Sequence, residues 1–261
     1  MSDDPRKAYW SNQYVDYWRA RVEEAGVGES DVVKGDSRTE DDSVYQAIFA
    51  KWPLRPGNVV DIGCAWGRMF PMLLEAGLEV SGLDISAPMI EQARKEWSAR
   101  PGVAALHDAS AEQTPFSDEQ FDNLICLAVF DATYQDRAMT EFLRITRPGA
   151  RLYVTGKNTD YPLDDEEAYR AEIGARGKGH PNYFTRTTKL IEALEADGHR
   201  VLTRYLFERR GDFAAFSHGD DLDAPFYEYL LVIERGPEAS QLEPISDEYS
   251  RTFERRTGEA G

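Results

Sequence analysis

The stretch Val59-Val60-Asp61-Ile62-Gly63-Cys64-Ala65-Trp66-Gly67-Arg68 runs from apolar residues through an acid into small residues, and a helical pattern opens at Met69. A buried strand handing over to a helix through such a turn lets a ligand touch backbone. The first N–H groups of the helix have no internal acceptor and favour an anion or a ribose. Two more acids close the next apolar stretches: Asp84 in Gly82-Leu83-Asp84-Ile85-Ser86 and Asp108 in His107-Asp108-Ala109-Ser110. Asp84 stands near the roughly 20 residues from the turn expected of an acid that serves a ribose, whose hydroxyls a carboxylate can accept. Asp108 is suitably placed for an adenine amino group. A single acid at a strand end is often only a helix cap. Three such sites in series mark the carboxyl edge of an open sheet, where ligands bind.

A dinucleotide fingerprint would need glycine at the first, third and sixth positions of the turn. Gly63, Ala65 and Arg68 occupy them, so two of three fail and a nicotinamide site is disfavoured. Tyr153 and Lys157 have the Tyr-x-x-x-Lys spacing of short-chain reductases. They fall at a strand end beside Gly156 rather than on a helix, and the match reads as chance.

The elements that must hold these residues alternate. Strands are expected at Val59–Ile62, Glu79–Ile85, Val103–His107, Phe121–Val129, 151–155, 200–207 and 227–234, with helices at 66–76, 87–99, 136–147 and 186–197. Pro71 falls near a helix start, where its missing N–H costs least, and Ser86 can cap the helix that follows. This βα rhythm is the signature of a doubly wound, mostly parallel sheet. Residues 8–25 place Trp10, Tyr14, Tyr17, Trp18 and Arg21 on one helical face, either packed on the core or closing a ligand cleft as a lid. A Gly- and Asp-rich loop at 26–43 and a short helix at 44–52 precede the first strand. After Gly156 the rhythm breaks into a long insertion, 157–183, acidic first and then Gly-rich and basic. Connections of that length are functional lids or disordered. From Pro237 the chain reads as a polar, poorly ordered tail.

Composition narrows the partners. The 261 residues carry a net charge of −17, and no dense Lys/Arg cluster is present, so nucleic acid and anionic membranes rank low. No apolar run approaches the roughly 20 residues of a membrane span. Cys64 and Cys126 each end an apolar run, which suggests buried thiols in a reduced, cytoplasmic protein. The N-terminus lacks an apolar signal region.

Taken together, the motifs resemble those of the class I S-adenosylmethionine-dependent methyltransferases. Val60–Arg68 looks like the family's first motif and Gly82–Ser86 like its ribose-binding strand end. Ala111–Asp122 is similar to its run into strand four, and Arg147–Ala150 to its turn into strand five. The likeness covers roughly residues 44–207. It implies a seven-stranded sheet whose last strand is antiparallel, an N-terminal lid and loop at 1–43, a methyltransferase domain at 44–235 carrying the insertion, and a tail at 236–261. It also implies S-adenosylmethionine as cofactor. Carried over by position, Gly63, Cys64 and Ala65 would lie against the methionine moiety with Asp61 beneath, and Gly67 would complete the turn. Asp84 would bind the ribose, Ile85 and Met89 would flank the adenine, and Asp108 and Ala109 would meet its amino edge. Leu127 would follow strand four past the sulfonium, and Arg68 would pair with a carboxylate or simply start a helix. One departure stands out: Ala65 replaces the motif's middle glycine.

Methyl transfer to an oxygen or nitrogen of high pKa needs a base as well as alignment. The candidates are Asp131 and Tyr134 after strand four, His180 in the insertion and His218 in the last loop; Trp10, Tyr14, Trp18 and Tyr183 would contact the acceptor. No metal is expected. A lid and an insertion on one cleft suggest a small acceptor such as a sugar, a natural product or a related metabolite, handled by a monomer or homodimer. The rival readings are a nicotinamide-dependent reductase and a protein that binds S-adenosylmethionine without turnover.

Overall fold

In the computed structural model the described residues are 4–13, 37–177, 179–238, 242, 245 and 246. Seven strands form one sheet: β1 (Asn58–Ile62), β2 (Glu79–Asp84), β3 (Val103–Asp108), β4 (Phe121–Cys126), β5 (Thr146–Lys157), β6 (Arg200–Phe207) and β7 (Glu228–Glu234). Their order is β3-β2-β1-β4-β5-β7-β6. All neighbours pair in parallel except β7, which runs antiparallel to both β5 and β6. This is the doubly wound sheet with an antiparallel closing strand that the sequence led us to expect.

Strand residues alternate between two cores because successive side chains leave opposite faces of a pleated strand. Val60, Leu124, Leu152 and Val154 join one apolar cluster, with Met139 and Phe142 of the helix Gln135–Ile145. Val59, Ile125 and Tyr153 join the other, with Phe70 and Leu73 of the helix Phe70–Glu75 and Ile90 and Trp97 of the helix Ala87–Trp97. Both faces are therefore covered, as a parallel sheet requires.

The parallel register brings the chemistry to one edge. Ile62 pairs with Leu83, and Asp84 pairs with Asp108, so the ends of β1, β2 and β3 lie side by side.

Several boundaries differ from expectation, each for a physical reason. The helix after β1 starts only at Phe70, because Gly63, Ala65 and Gly67 all adopt positive φ (76°, 48° and 87°) and draw the turn out. β4 stops at Cys126 although the apolar run continues, since Ala128 takes φ 57° and bends the chain into the helical turn Phe130–Ala132. The first helix of the domain is longer, Ser37–Lys51. The insertion is not merely loop: it folds into a helix, Glu166–Gly177. The tail contributes to the core through Ile245, which is fully buried and whose carbonyl accepts from Arg186 N–H at 2.9 Å.

At the N-terminus the described residues form a short helix, Pro5–Ala8, capped by Asp4, followed by a π-helical turn, Tyr9–Gln13. The expected helical face reached further, and Tyr14 and Trp18 lie outside the described residues. Among the described residues no helix is long and apolar enough to cross a membrane.

Candidate active site

Two cavities open at the carboxyl edge of the sheet and share Trp10, Ala128 and Ala132 as common wall. The first, about 720 Å³, runs along the ends of β1 and β2 and is bounded by Gly63, Ala65, Asp84, Ile85 and Met89. The second, about 1280 Å³, lies towards β5 and β7 and is bounded by Asp131, Lys157, His180 and Glu228, among others.

The first cavity is shaped by the turn. A side chain on Gly63 would bring its Cβ within 2.3 Å of the Val129 side chain, so only glycine lets the chain pass there. Ala65 N–H donates to Asp84 Oδ2 at 2.9 Å, and Ser86 N–H donates to Asp84 Oδ1 at 2.8 Å. Each carboxylate oxygen keeps a lone pair for a further donor. Burial pushes the Asp84 carboxyl up to about 6, against the pull of those two N–H groups. Asp61, buried below the turn, is raised to about 7 by burial and by the charge of Asp84, and its Oδ2 has no hydrogen-bond partner.

Ala65 explains its own oddity. At φ 48° it holds a left-handed backbone that glycine adopts freely and that costs other residues roughly 1–2 kcal/mol. Ala65→Gly should relieve that strain and lose about 0.4–1 kcal/mol through greater freedom of the unfolded chain. The expected net result is a melting temperature raised by about 1–4 °C, read by calorimetry. A lower melting temperature would mean the alanine methyl is worth more in packing than the backbone strain it causes.

The N-terminal segment closes this cavity by an arginine clasp. The Arg6 guanidinium, 5% exposed, donates to Glu112 Oε1 at 2.5 Å and Oε2 at 3.0 Å, reaches the Asp4 carboxylate at 2.6 Å and lies 4.0 Å from the Tyr134 ring centre. Burial works to raise the Glu112 carboxyl, but Arg6 outweighs it and holds the group below its ordinary value. Lys7 pairs with Asp108 at 3.0 Å, and Ser86 Oγ donates to the Trp10 carbonyl at 3.2 Å. Arg6 and Glu112 both line the cavity, and sequence reading passed over both. A lone Arg in an acidic terminus resembles surface, and its partner is far along the chain.

In the second cavity, the floor is ionic. Lys157 Nζ pairs with Asp131 Oδ2 at 3.1 Å and with Glu172 Oε1 at 2.9 Å. Burial opposes its charge, yet Asp131 and Glu172 keep it an ammonium with its pKa raised. Glu172 also accepts from Tyr227 OH and, at 2.6 Å, from Asn182 Nδ2. His180 packs edge-on against Tyr9 and Trp10 with ring centres 5.3 and 4.9 Å apart. Burial lowers its pKa, and its Nδ1 is buried without a hydrogen-bond partner. Glu228 is raised to about 7, chiefly by burial.

Of the residues singled out from sequence, Trp10, Gly63, Ala65, Asp84, Ile85 and Met89 line the first cavity, and Trp10, Asp131 and His180 line the second. The other described candidates stand back from both walls. Cys64 is buried with its Sγ towards Gly82. Gly67 is covered by Trp97 and Phe70, and Arg68 acts on Asp61 by charge. Asp108 is taken by Lys7, Ala109 N–H bonds the Asp84 carbonyl at 3.0 Å, and Leu127 packs into the core. Tyr134 is occupied by Arg6 and by the Tyr183 ring at 5.6 Å. His218 packs on Tyr205 and Phe216, with ring centres 4.7 and 4.9 Å away, and the geometry does not bring it to either cavity.

A cleft at this edge, with a glycine turn under one half and an acid at the end of β2, is a nucleoside-binding arrangement. Comparison with known proteins agrees. Residues 60–154 match a family model described as a methyltransferase domain. The malonyl-[acyl-carrier protein] O-methyltransferase of Enterobacter lignolyticus is 33% identical over 189 residues, covering 72% of this chain and 66% of that protein. The enzyme of the same name from Pseudescherichia vulneris is 32% identical over 144 residues, 54% of each chain. The chain thus spans about half to two thirds of the length of these curated relatives. The fold is similar to that of magnesium protoporphyrin IX methyltransferase from Synechocystis PCC 6803 with bound SAH (TM-score 0.57, 18% identity, 88% of this chain and 97% of that one). The chain belongs to the class I S-adenosylmethionine-dependent methyltransferases, whose cofactor is S-adenosylmethionine.

The residues present fit that group. Gly63 leaves a gap no other residue could leave, Asp84 retains free lone pairs at the wall, and Asp61 Oδ2 is a buried acceptor without a donor.

Proposed function

We propose that this chain transfers a methyl group from S-adenosylmethionine to an oxygen or nitrogen nucleophile of a small molecule enclosed in the second cavity. We place this reaction in the cytoplasm and assign it to a monomer or homodimer. The observation that carries the reading is the meeting of the two cavities at Trp10, Ala128 and Ala132: one suits the cofactor and the other has room and polar groups for an acceptor.

When bound, S-adenosylmethionine supplies a methyl group already made electrophilic by its sulfonium, so the protein's part is binding, alignment and proton removal. Asp84 would accept from the ribose hydroxyls, and Asp61, buried beneath the turn, would lend its charge to the cationic end of the cofactor. Arg6 and Trp10 close the first cavity and exclude water. Of the two candidate bases at the second cavity, Asp131 is committed to Lys157, whereas His180 keeps an unpaired Nδ1. A neutral imidazole, favoured here because burial lowers its pKa, can take the proton that the acceptor gives up.

Calorimetry should show S-adenosylmethionine binding with a micromolar dissociation constant, and methyl-labelled cofactor should pass its label to a small hydroxyl or amine acceptor. No heat with either the cofactor or its demethylated product would sink the reading. Bound cofactor with no transfer across a broad acceptor panel would leave a protein that only binds it.

A further inference from the structure

The wall of the second cavity has more acid than its cations neutralise. Asp131, Glu167 and Glu228 line it together with Lys157 and Arg210, and Glu172 stands behind Lys157. Lys157 gives its charge to Asp131 and Glu172. Arg210 Nε lies 4.0 Å from Glu167 Oε1. Glu228 is the cross-strand partner of Lys157 on β5 and β7, and both Lys157 and Arg210 act on it by charge, but each of those cations has a nearer carboxylate, at 4.0 Å or less. An acidic surface is explained by solvation across the chain. A carboxylate drawn partly out of water on a cavity wall, its pKa pushed up to about 7 chiefly by burial, is not, because the lost hydration costs free energy that a partner returns.

Aromatic residues line the same cavity: Trp10 and Phe213 with the buried Tyr45 and Tyr229, and aromatic rings attract an organic cation. Resting on the methyl-transfer reading above, we propose that the acceptor carries an aliphatic amine and is received as its ammonium form, with Glu228 as the anionic partner and the aromatic wall around the carbon skeleton; the ammonium gives one proton to His180 before its nitrogen lone pair takes the methyl group, and the sulfonium leaves as the neutral thioether. Glu228 is then the residue that sets acceptor charge, and Asp131 serves to hold Lys157 in place.

The test uses the 261-residue chain saturated with S-adenosylhomocysteine, so that no sulfonium is present. Three probes that differ only in their terminal group are titrated in: 2-phenylethylamine, 2-phenylethanol and phenylacetate. The amine should bind roughly tenfold or more tightly than either of the others, as expected of a charge-assisted hydrogen bond. In Glu228→Gln that advantage should shrink to about twofold or less. Equal binding of the alcohol or the acid, no binding of the amine, or an advantage that survives in Glu228→Gln would each overturn the proposal. So would a Glu228→Gln protein whose affinity falls for S-adenosylmethionine but not for S-adenosylhomocysteine, since the acid would then serve the sulfonium. The wild-type comparison decides even where the variant does not fold. Binding of S-adenosylhomocysteine is measured first: its absence would remove the cofactor reading itself, whereas its presence without an amine preference would remove only this proposal.

Discussion

Asp84→Ala should weaken S-adenosylmethionine binding roughly 30–150-fold, the equivalent of about 2–3 kcal/mol for a charge-assisted hydrogen-bond pair. The carboxylate does two things that alanine cannot do. It fixes the turn by accepting Ala65 N–H and Ser86 N–H at 2.9 and 2.8 Å, and it keeps lone pairs directed at the cavity. Asp84→Asn separates them, because an amide carbonyl can still accept one of the two N–H groups while the charge is gone. Isothermal calorimetry with the cofactor and with its demethylated product reads both variants. An unchanged dissociation constant in Asp84→Ala would move the ribose elsewhere.

The same residue makes binding depend on pH. With a folded-state pKa of about 6, against an ordinary value near 4, Asp84 holds a proton in the folded protein that the unfolded chain has already released. Stability of the cofactor-free protein therefore falls as pH rises through that window, and Asp61 and Glu228, both raised to about 7 by burial, extend it upward with the same sign. Cofactor affinity runs the other way, because the ribose donates to the ionised form. It should be about tenfold weaker at pH 5 than at pH 7.5, and a profile that becomes clearly shallower in Asp84→Asn, with Asp61 supplying what remains, would assign the larger part to this group.

How much of this was legible in the sequence depended on range. Gly63, Asp84, Ile85 and Met89 could be placed because a strand, a tight turn and a second strand are local patterns, and the parallel register then sets the acids of β2 and β3 side by side. Ala65 looked like a weak point in the motif; its φ of 48° shows why glycine is the usual residue there. The apolar run Leu127-Ala128-Val129 read as more strand, since periodicity does not report a single left-handed residue, and that bend is what gives both cavities a common wall. Arg6, Glu112 and Glu228 carried no local signal. Each matters only through partners brought near by the sheet: Glu112 for Arg6, and Lys157 across β5 and β7 for Glu228. His180 and His218 were both candidate bases in sequence, with His180 ahead. One packs against the lid with an unpaired nitrogen, the other into an aromatic cluster on β6.

The coupling of insertion to sheet is where the largest loss of stability should be found. Lys157 joins the end of β5 to Asp131 after β4 and to Glu172 in the inserted helix, and Glu172 in turn holds Asn182, close in sequence to His180. Lys157→Met fills a similar volume but leaves two buried carboxylates without a cation. Breaking a buried pair in this way costs roughly 3–5 kcal/mol. At roughly 2–4 °C per kcal/mol, the melting temperature should drop by about 6–20 °C. The loss should be greatest near pH 8 and smaller near pH 5, because the stranded acids can take up protons as the pH falls. Lys157→Met combined with Glu172→Gln should recover part of it, since one of the two orphaned charges is then removed. Affinity for S-adenosylhomocysteine should stay near wild type in the folded variant, because Lys157 lines the second cavity and not the first. A drop of less than about 3 °C would show that water reaches this cluster and screens it, and the insertion would then be held to the sheet by packing of Phe184 and Tyr227 with Ala168 rather than by charge.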